Sequence, residues 1–517
     1  MNLETIIIHA PALVIFLPLL VAFATPLIDR VSKQARNAWI LFGAFATEVV
    51  VLLMAHDVVT NGMRVYTMGA SDPAQTMVGI STPVRIILSV DAMSAFMAVV
   101  SMSVVLAVCI YSIGFMKKKD GEMKYSILIM LMTAGMLGLE LTGDLFTMFV
   151  FFELLSIASA ALVGFWLDKK HPFEAAFKYM VVSALSALML LFAIGLLYGQ
   201  YDALNIAALA KMMKFTLIDK VALAILVTAF AVKCGAVPLH MWVSDAYGEA
   251  PAPITAALVV ASQASLYALF RVCFSLFGSI PIHTLVAWAL IIFGVLSMFI
   301  GVTMALPQKD VKRLMAYHAV SQTGYMLLGV GVGLAVIGNA GALLGYGITA
   351  VEGGLFHMVN HAMYKGLLFL TAGAMIYRLG TKNLNEMGGL AHKMPFTTIF
   401  FLIGAFAIAG VPPFNGFASK FMIYESVYQF NPMLAIIAMV VSILTLASFM
   451  KVFHSAFMGP AKNNVKEVPF SMLLGMGLLA AVVIIFGLFP DIALDNLVRP
   501  AAHALLDQAG YIAGVLG

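Results

Sequence analysis

The chain has 517 residues, of which 62% are hydrophobic and only 10% charged. Soluble domains carry about 25% charged residues, so this composition excludes a string of soluble domains. The formal net charge of +4 says little about partners, because the basic residues have a topological use, and nothing supports nucleic-acid binding.

A hydrocarbon core of about 30 Å takes roughly 20 apolar residues of helix. Such runs recur from end to end, and they are too long and continuous for barrel strands. They predict an all-α polytopic membrane protein, a single integral domain over 1–517, with about fourteen spanning helices. In chain order the predicted spans are 5–26, 38–56, 91–115, 125–141, 144–167, 173–198, 220–242, 253–277, 284–306, 313–336, 348–378, 396–428, 433–457 and 470–489. The first run lacks the basic start and small-residue cleavage site of a signal peptide, so a retained first helix is expected.

The loops alternate in charge. Basic loops such as RVSKQAR, KKKDGEMK, PQKDVKR and YRLGTKNLNEMGGLAHK follow the first, third, ninth and eleventh spans. Positive loops mark the cytoplasmic side, which puts both termini outside. NIAALAKMMKFTLIDK carries three lysines on the other side and reads as an amphipathic helix lying in the interface. The longest loop, about 57–90, holds Gly62, Gly69, Pro73, Gly79 and Pro83 before VRIILSV, and a short hairpin is expected there. The other loops have no room for a soluble catalytic domain.

Two spans read as broken. AFAVKCGAVPLHMW (229–242) and AFAIAGVPPFNGF (405–417) share Ala-Phe-Ala, then Gly, then Val-Pro. Proline removes a donor and clashes with the preceding turn. Paired interrupted helices in two halves of a chain point to internal repeats and a midplane ion site; ordinary proline kinks are the plainer explanation.

A charge at the bilayer centre costs at least about 2.5–3.5 kcal/mol, so such residues pair or line a polar path. Here Glu153 lies in the fifth span, Lys178 near the start of the sixth, Lys233 one turn before the first break and His240 within it. Lys420 follows the second break, with Glu425 five residues on. His357, His361 and Lys365 are spaced by four and share one helical face. That face fits a proton path, a static polar network or, with more ligands than are evident, a metal site. His318 and Glu352 are deeper secondary candidates. The three cysteines, Cys109, Cys234 and Cys273, lie in apolar runs without a CxxC and read as small buried hydrophobes. No phosphate loop, HExxH or GxSxG is present.

The chain resembles the antiporter-like subunits shared by Mrp-type sodium/proton antiporters, respiratory complex I and membrane-bound energy-converting hydrogenases. The resemblance rests on LTGDLFTMFVFFELLSIASAAL, KCGAVPLHMWVSDAYGEAPAPITAAL, DVKRLMAYHAVSQTGYMLLG, FHMVNHAMYKGLLFLTAGA and GVPPFNGFASKF, which stand in the family order. The first two look closest to the D-type Mrp subunit and its hydrogenase counterpart. The resemblance implies helices 1–3 in 1–115, two inverted five-helix repeats in 125–277 and 284–457, and a last helix in 470–489, with helices 7 and 12 discontinuous. It also implies an ion-translocation row: Glu153 paired with Lys233, a central axis of His357, His361 and Lys365, and Lys420 on the exit side. Relatives often carry lysine or histidine where this chain has Gln263, four residues before Tyr267 and eight before Arg271. A water-mediated link through Gln263 or a weakened central route follows.

The expected function is ion translocation, of protons or sodium, by one subunit of a redox-driven membrane complex. The alternative is the D-type member of a multisubunit Mrp antiporter, and a midplane solute transporter is less favoured. The expected partners are other membrane subunits and the lipid bilayer, in the cytoplasmic membrane, with no cofactor on this chain.

Overall fold

The computed structural model describes residues 3–68, 86–117, 119–166, 170–278, 283–460 and 465–517. The helices in the first half are α1 (Leu3–Asp29), α2 (Lys33–Asn61), α3 (Ala92–Met116), α4 (Glu122–Leu141), α5 (Leu145–Val163), α6 (Lys170–Tyr201), α7 (Ile206–Met212), α8 (Leu217–Cys234), α9 (Met241–Glu249) and α10 (Ala252–Arg271). There follow α11 (His283–Ala305), α12 (Val311–Ala335), the short turn α13 (Ala340–Ala342), α14 (Ile348–Leu379), α15 (Leu390–Lys393), α16 (Pro395–Ala409), α17 (Asn415–Phe430), α18 (Pro432–Phe457) and α19 (Phe470–Leu488). The chain ends in α20 (Pro490–Ala493), α21 (Arg499–Leu506) and α22 (Gln508–Leu516).

Among the described residues, 11 helices are long and apolar enough to cross a membrane. The other predicted spans are α12, which carries Lys312, Arg313 and His318, and the two broken segments α8–α9 and α16–α17. The expected hairpin is present as β1 (Arg64–Thr67) paired antiparallel with β2 (Ile87–Val90). Its glycine- and proline-bearing stretch, 69–85, lies outside the described residues. Of NIAALAKMMKFTLIDK, Ile206–Met212 form α7, started by Asn205, whose side chain accepts from the Ala207 and Ala208 amides, and Leu217 opens α8. The predicted spans stop at residue 489, yet α20–α22 fold back beyond it. These helices are too short to register as spans; α21 packs on α3, and α22 on α7.

Polar side chains set the helix starts. Asp91, Asp144 and Asp310 each accept a backbone N–H of the first turn of α3, α5 and α12, which satisfies donors that a helix start otherwise leaves open. Asp91 does more than cap. It forms a buried ion pair with Arg271, whose Nε also donates to the Tyr267 hydroxyl at 2.9 Å. Removing one partner of a buried pair strands the other, at about 3–5 kcal/mol. Asp91→Ala should therefore lower unfolding stability by about that amount, measured by denaturant unfolding of the solubilised protein. A variant as stable as the wild type would remove this pair from the account of the fold.

Packing follows the same order in two sets of helices. In the first, α4 packs on α5, α5 on α6, α6 on α8, and α10 returns to α4. In the second, α11 packs on α12, α12 on α14, α14 on α16 and α17, and α18 returns to α11. The sets meet where α10 lies on α14 and α9 on α12. α10 is 94% buried across its membrane window, against 33% for α19, so the junction sits at the centre and α19 at the rim.

Candidate functional site

Both breaks are built by the same local device. α8 ends at Gly235 and α16 at Gly410, with φ of 74° and 77°. This left-handed conformation is one that glycine adopts without penalty. In each, the amide after the glycine reaches back across the last turn: Ala236 N–H to Ala231 O at 3.0 Å, and Val411 N–H to Phe406 O at 3.0 Å. This is the Schellman closure of a helix C-terminus. The freed carbonyls then find side chains. The Trp242 indole donates to Val232 O at 2.9 Å. In the second break the Lys420 ammonium donates to Ile408 O at 2.7 Å, and the Ser442 hydroxyl to Ala409 O at 2.9 Å. A cation at a helix C-terminus complements its dipole, so Lys420 is held by the break itself.

Lys233 is buried in the last turn of α8, just before Gly235. Its ammonium donates to Ser156 Oγ at 2.9 Å and Ser183 Oγ at 2.6 Å, and it faces the Tyr179 ring at 4.3 Å. The expected contact pair with Glu153 is not formed. Glu153 is half-buried on α5, and among the described ion pairs none joins it to Lys233. The displacement is along the helix axis: Ser156 lies three residues further along α5, nearly a full turn and about 4.5 Å on, and its hydroxyl meets the ammonium.

Gln263 is buried on α10, and its side chain bonds α14 directly. Its Nε2 lies 3.0 Å from Met358 O and 2.9 Å from His361 Nδ1. A carbonyl can only accept, so the amide NH₂ faces α14 and its second hydrogen goes to His361. His361 Nδ1 is then the acceptor, and the neutral ring carries its proton on Nε2. The two sets of helices are thus joined by a direct side-chain bond at their junction.

On α14, His357 lies one turn from His361. Its Nδ1 is 3.0 Å from Ser419 Oγ and its Nε2 3.2 Å from Gln322 Oε1. Tyr364 OH donates to Gln322 Oε1 at 3.3 Å and lies 3.2 Å from His357 Nε2. Ser419 is the neighbour of Lys420, whose ammonium also reaches Ser442 Oγ at 3.0 Å. Lys365 is fully buried, with its ammonium 5.4 Å from the Phe369 ring centre and 5.8 Å from that of Phe449. Hydrogen bonds thus link His357, Gln322, Tyr364 and Ser419 into one cluster, and among the described hydrogen bonds none joins this cluster to the His361 ring or to the Lys420 ammonium. Among the described hydrogen bonds none joins Lys233 to Gln263 directly.

The secondary candidates separate. His318 is fully buried against Phe449 at 4.9 Å, one turn before Gln322 on α12. His240 is buried at the start of α9 and makes no hydrogen bond to the row among the described residues. Lys178 is exposed and paired with Glu174 at 2.7 Å and Asp245 at 2.9 Å. α6 has 32 residues, about 48 Å at 1.5 Å each, longer than a hydrocarbon core of about 30 Å. Glu425 is exposed, because five residues after Lys420 turn the helix to another face. Glu352 is buried on α14, and among the described ion pairs none includes it. Sequence reading missed Gln322, Tyr364, Ser419 and Ser442. Tyr364 was open to discovery, since it stands seven residues from His357 on the same face. Among the described residues no group of three or more His, Cys, Asp or Glu side chains is placed to hold a metal.

Residues 142–445 match the family described as NADH:quinone oxidoreductase/Mrp antiporter, transmembrane, and residues 79–126 match the complex I chain 5 N-terminus. The chain is 32% identical over 487 residues to the D-type subunit of the Na(+)/H(+) antiporter of Alkalihalophilus pseudofirmus, covering 92% of this chain and 93% of that one. It is 30% identical over 515 residues to the A-type subunit of the same organism's antiporter, covering 95% of this chain and 62% of that longer protein. Its fold matches a chain of the membrane-bound sulfane sulfur reductase, an archaeal respiratory membrane complex, with a TM-score of 0.86, 26% identity, and 98% and 100% of the two chains covered. Spans, breaks, buried row and relatives agree, and the chain belongs to the NADH:quinone oxidoreductase/Mrp antiporter family of multi-pass membrane proteins.

Proposed function

We propose that this chain is an ion-translocating component of a multisubunit complex in the cytoplasmic membrane, and that protons move along the row from Lys233 to Lys420. The observation that carries the reading is the Gln263–His361 bond, which ties the first set of helices to His361 in the second. The two sets act as repeats, 125–277 and 284–457, flanked by helices 1–3 and a last helix. Five spans is an odd number, so the second repeat starts on the opposite side of the membrane and is inverted. Both termini lie outside.

In this mechanism Glu153 and Lys233 form the entry to the row, and a change of charge at Glu153 sends a proton inward from Lys233. Water carries it to the junction. Gln263 cannot titrate; it fixes the His361 tautomer so that Nε2 is the nitrogen that exchanges protons. His357, Gln322 and Tyr364 continue the row to Ser419 and Lys420. Lysine and histidine suit protons; sodium prefers oxygen ligands. Any redox chemistry and its cofactors belong to other subunits.

Glu153→Ala and Lys233→Ala, each with assembly verified, should reduce ion pumping in proteoliposomes by about tenfold or more, within the ~10²–10⁴ range that a positioned proton carrier contributes. Wild-type pumping in both would end the coupling role. The relationship to the sulfane sulfur reductase chain supports a redox-driven complex, and the match to the D-type antiporter chain over nearly its full length supports an antiporter. Mass spectrometry of the native complex separates them: iron–sulfur subunits select the first, small membrane subunits alone the second.

A further inference from the structure

A cavity of about 980 Å³ opens at the end of the bundle that carries the lysine-rich loops. It lies between the facing ends of α3 and α4, the α9–α10 turn, the start of α12 and the end of α14, and no residue of the translocation row lines it. Its walls hold four lysines, Lys119, Lys124, Lys312 and Lys382, against two acids, Asp120 and Glu249. Glu249 is already matched, by Lys382 at 2.8 Å. Lys312 is buried, with its ammonium donating to Ala250 O in the cavity wall. The start of α10 has no side-chain cap and borders the same space, and a helix start adds positive potential.

The other wall is aromatic. The Lys119 ammonium lies 3.5 Å from the Phe115 ring centre, 4.9 Å from that of Trp166 and 5.8 Å from that of Tyr377. Tryptophan and tyrosine collect at the level of lipid headgroups. Basic pockets between membrane helices take phosphate-bearing headgroups, and lysine binds phosphate as a point charge without demanding one geometry.

We infer that this cavity is a binding site for a phosphate group, contributed by an anionic phospholipid headgroup or by a soluble phosphate compound. The net positive lining repels cations, so the cavity holds an anion at the membrane edge and is separate from the translocation row.

The test uses the assembled complex in neutral-lipid nanodiscs. It is titrated with phosphatidylglycerol, read by native mass spectrometry, and separately with radiolabelled inorganic phosphate, read by equilibrium dialysis. Lys124→Gln/Lys382→Gln should bind its ligand about tenfold more weakly, as the loss of two basic residues near an anionic group predicts. Lys220→Gln, on the exposed start of α8, should bind as the wild type. Lys124→Glu alone changes an exposed side chain and keeps the test open if the double variant does not assemble. A variant-sensitive loss of phosphatidylglycerol identifies the lipid source, and one of inorganic phosphate the soluble source. Equal retention of both ligands by wild type and variants overturns the site.

Discussion

Lys420→Arg is expected to leave the complex assembled and to stop ion translocation. The ammonium of Lys420 bonds Ile408 O at 2.7 Å and Ser442 Oγ at 3.0 Å, so it serves structure and transport at once. Lys420→Ala confounds the two, because it strands a buried carbonyl at about 1–3 kcal/mol. Arginine keeps a positive donor near the end of α16 but is effectively always protonated and cannot release its proton. If Lys420 only closes the helix break, the arginine variant pumps near the wild-type rate. If Lys420 carries the proton, pumping falls by at least about a hundredfold, in the range of lost proton-transfer catalysis. The paired measurement is proteoliposome acidification beside thermal unfolding of the same preparation. Wild-type pumping by a stable arginine variant would remove Lys420 from the path.

The physics of this difference also explains what could be read in the chain. The spans, the two breaks and the placement of His357, His361 and Lys365 were legible because bilayer thickness and the helical period act on short stretches of sequence. Gly235 and Gly410 announced the breaks, since a left-handed residue ends a helix wherever it falls. The partners of the charges were not legible. Lys233 reaches Ser183, 50 residues away, and His357 reaches Ser419, 62 residues away; both partners are hydroxyls common in any membrane helix. The partner of Lys178 was not legible either, since Asp245 stands 67 residues away on α9. Glu425 is exposed while Lys420 is buried, because five residues along a helix turn to another face. The C-terminal helices carried no signal of span length, and their place depends on contacts with α3 and α7.

The second large effect concerns the residue that cannot titrate. Gln263→Leu is close in size but deletes both donors. Met358 O loses its bond from Gln263, and His361 Nδ1 loses the donor that fixes its tautomer. The imidazole is then free to place its proton on either nitrogen and to turn away from the row. A neutral amide acting by orientation should therefore matter nearly as much as a carrier, and pumping should fall by about tenfold or more. Gln263→His is the discriminating partner, because a ring nitrogen there can donate to His361 and can also carry a proton. It should retain most of the pumping lost in the leucine variant. The tautomer has its own readout: nitrogen NMR of labelled His361 should report protonation on Nε2 in the wild type and a mixture in Gln263→Leu. A leucine variant with both the wild-type rate and the wild-type nitrogen signature would show that the junction between the two helix sets is packed by this bond and not wired through it.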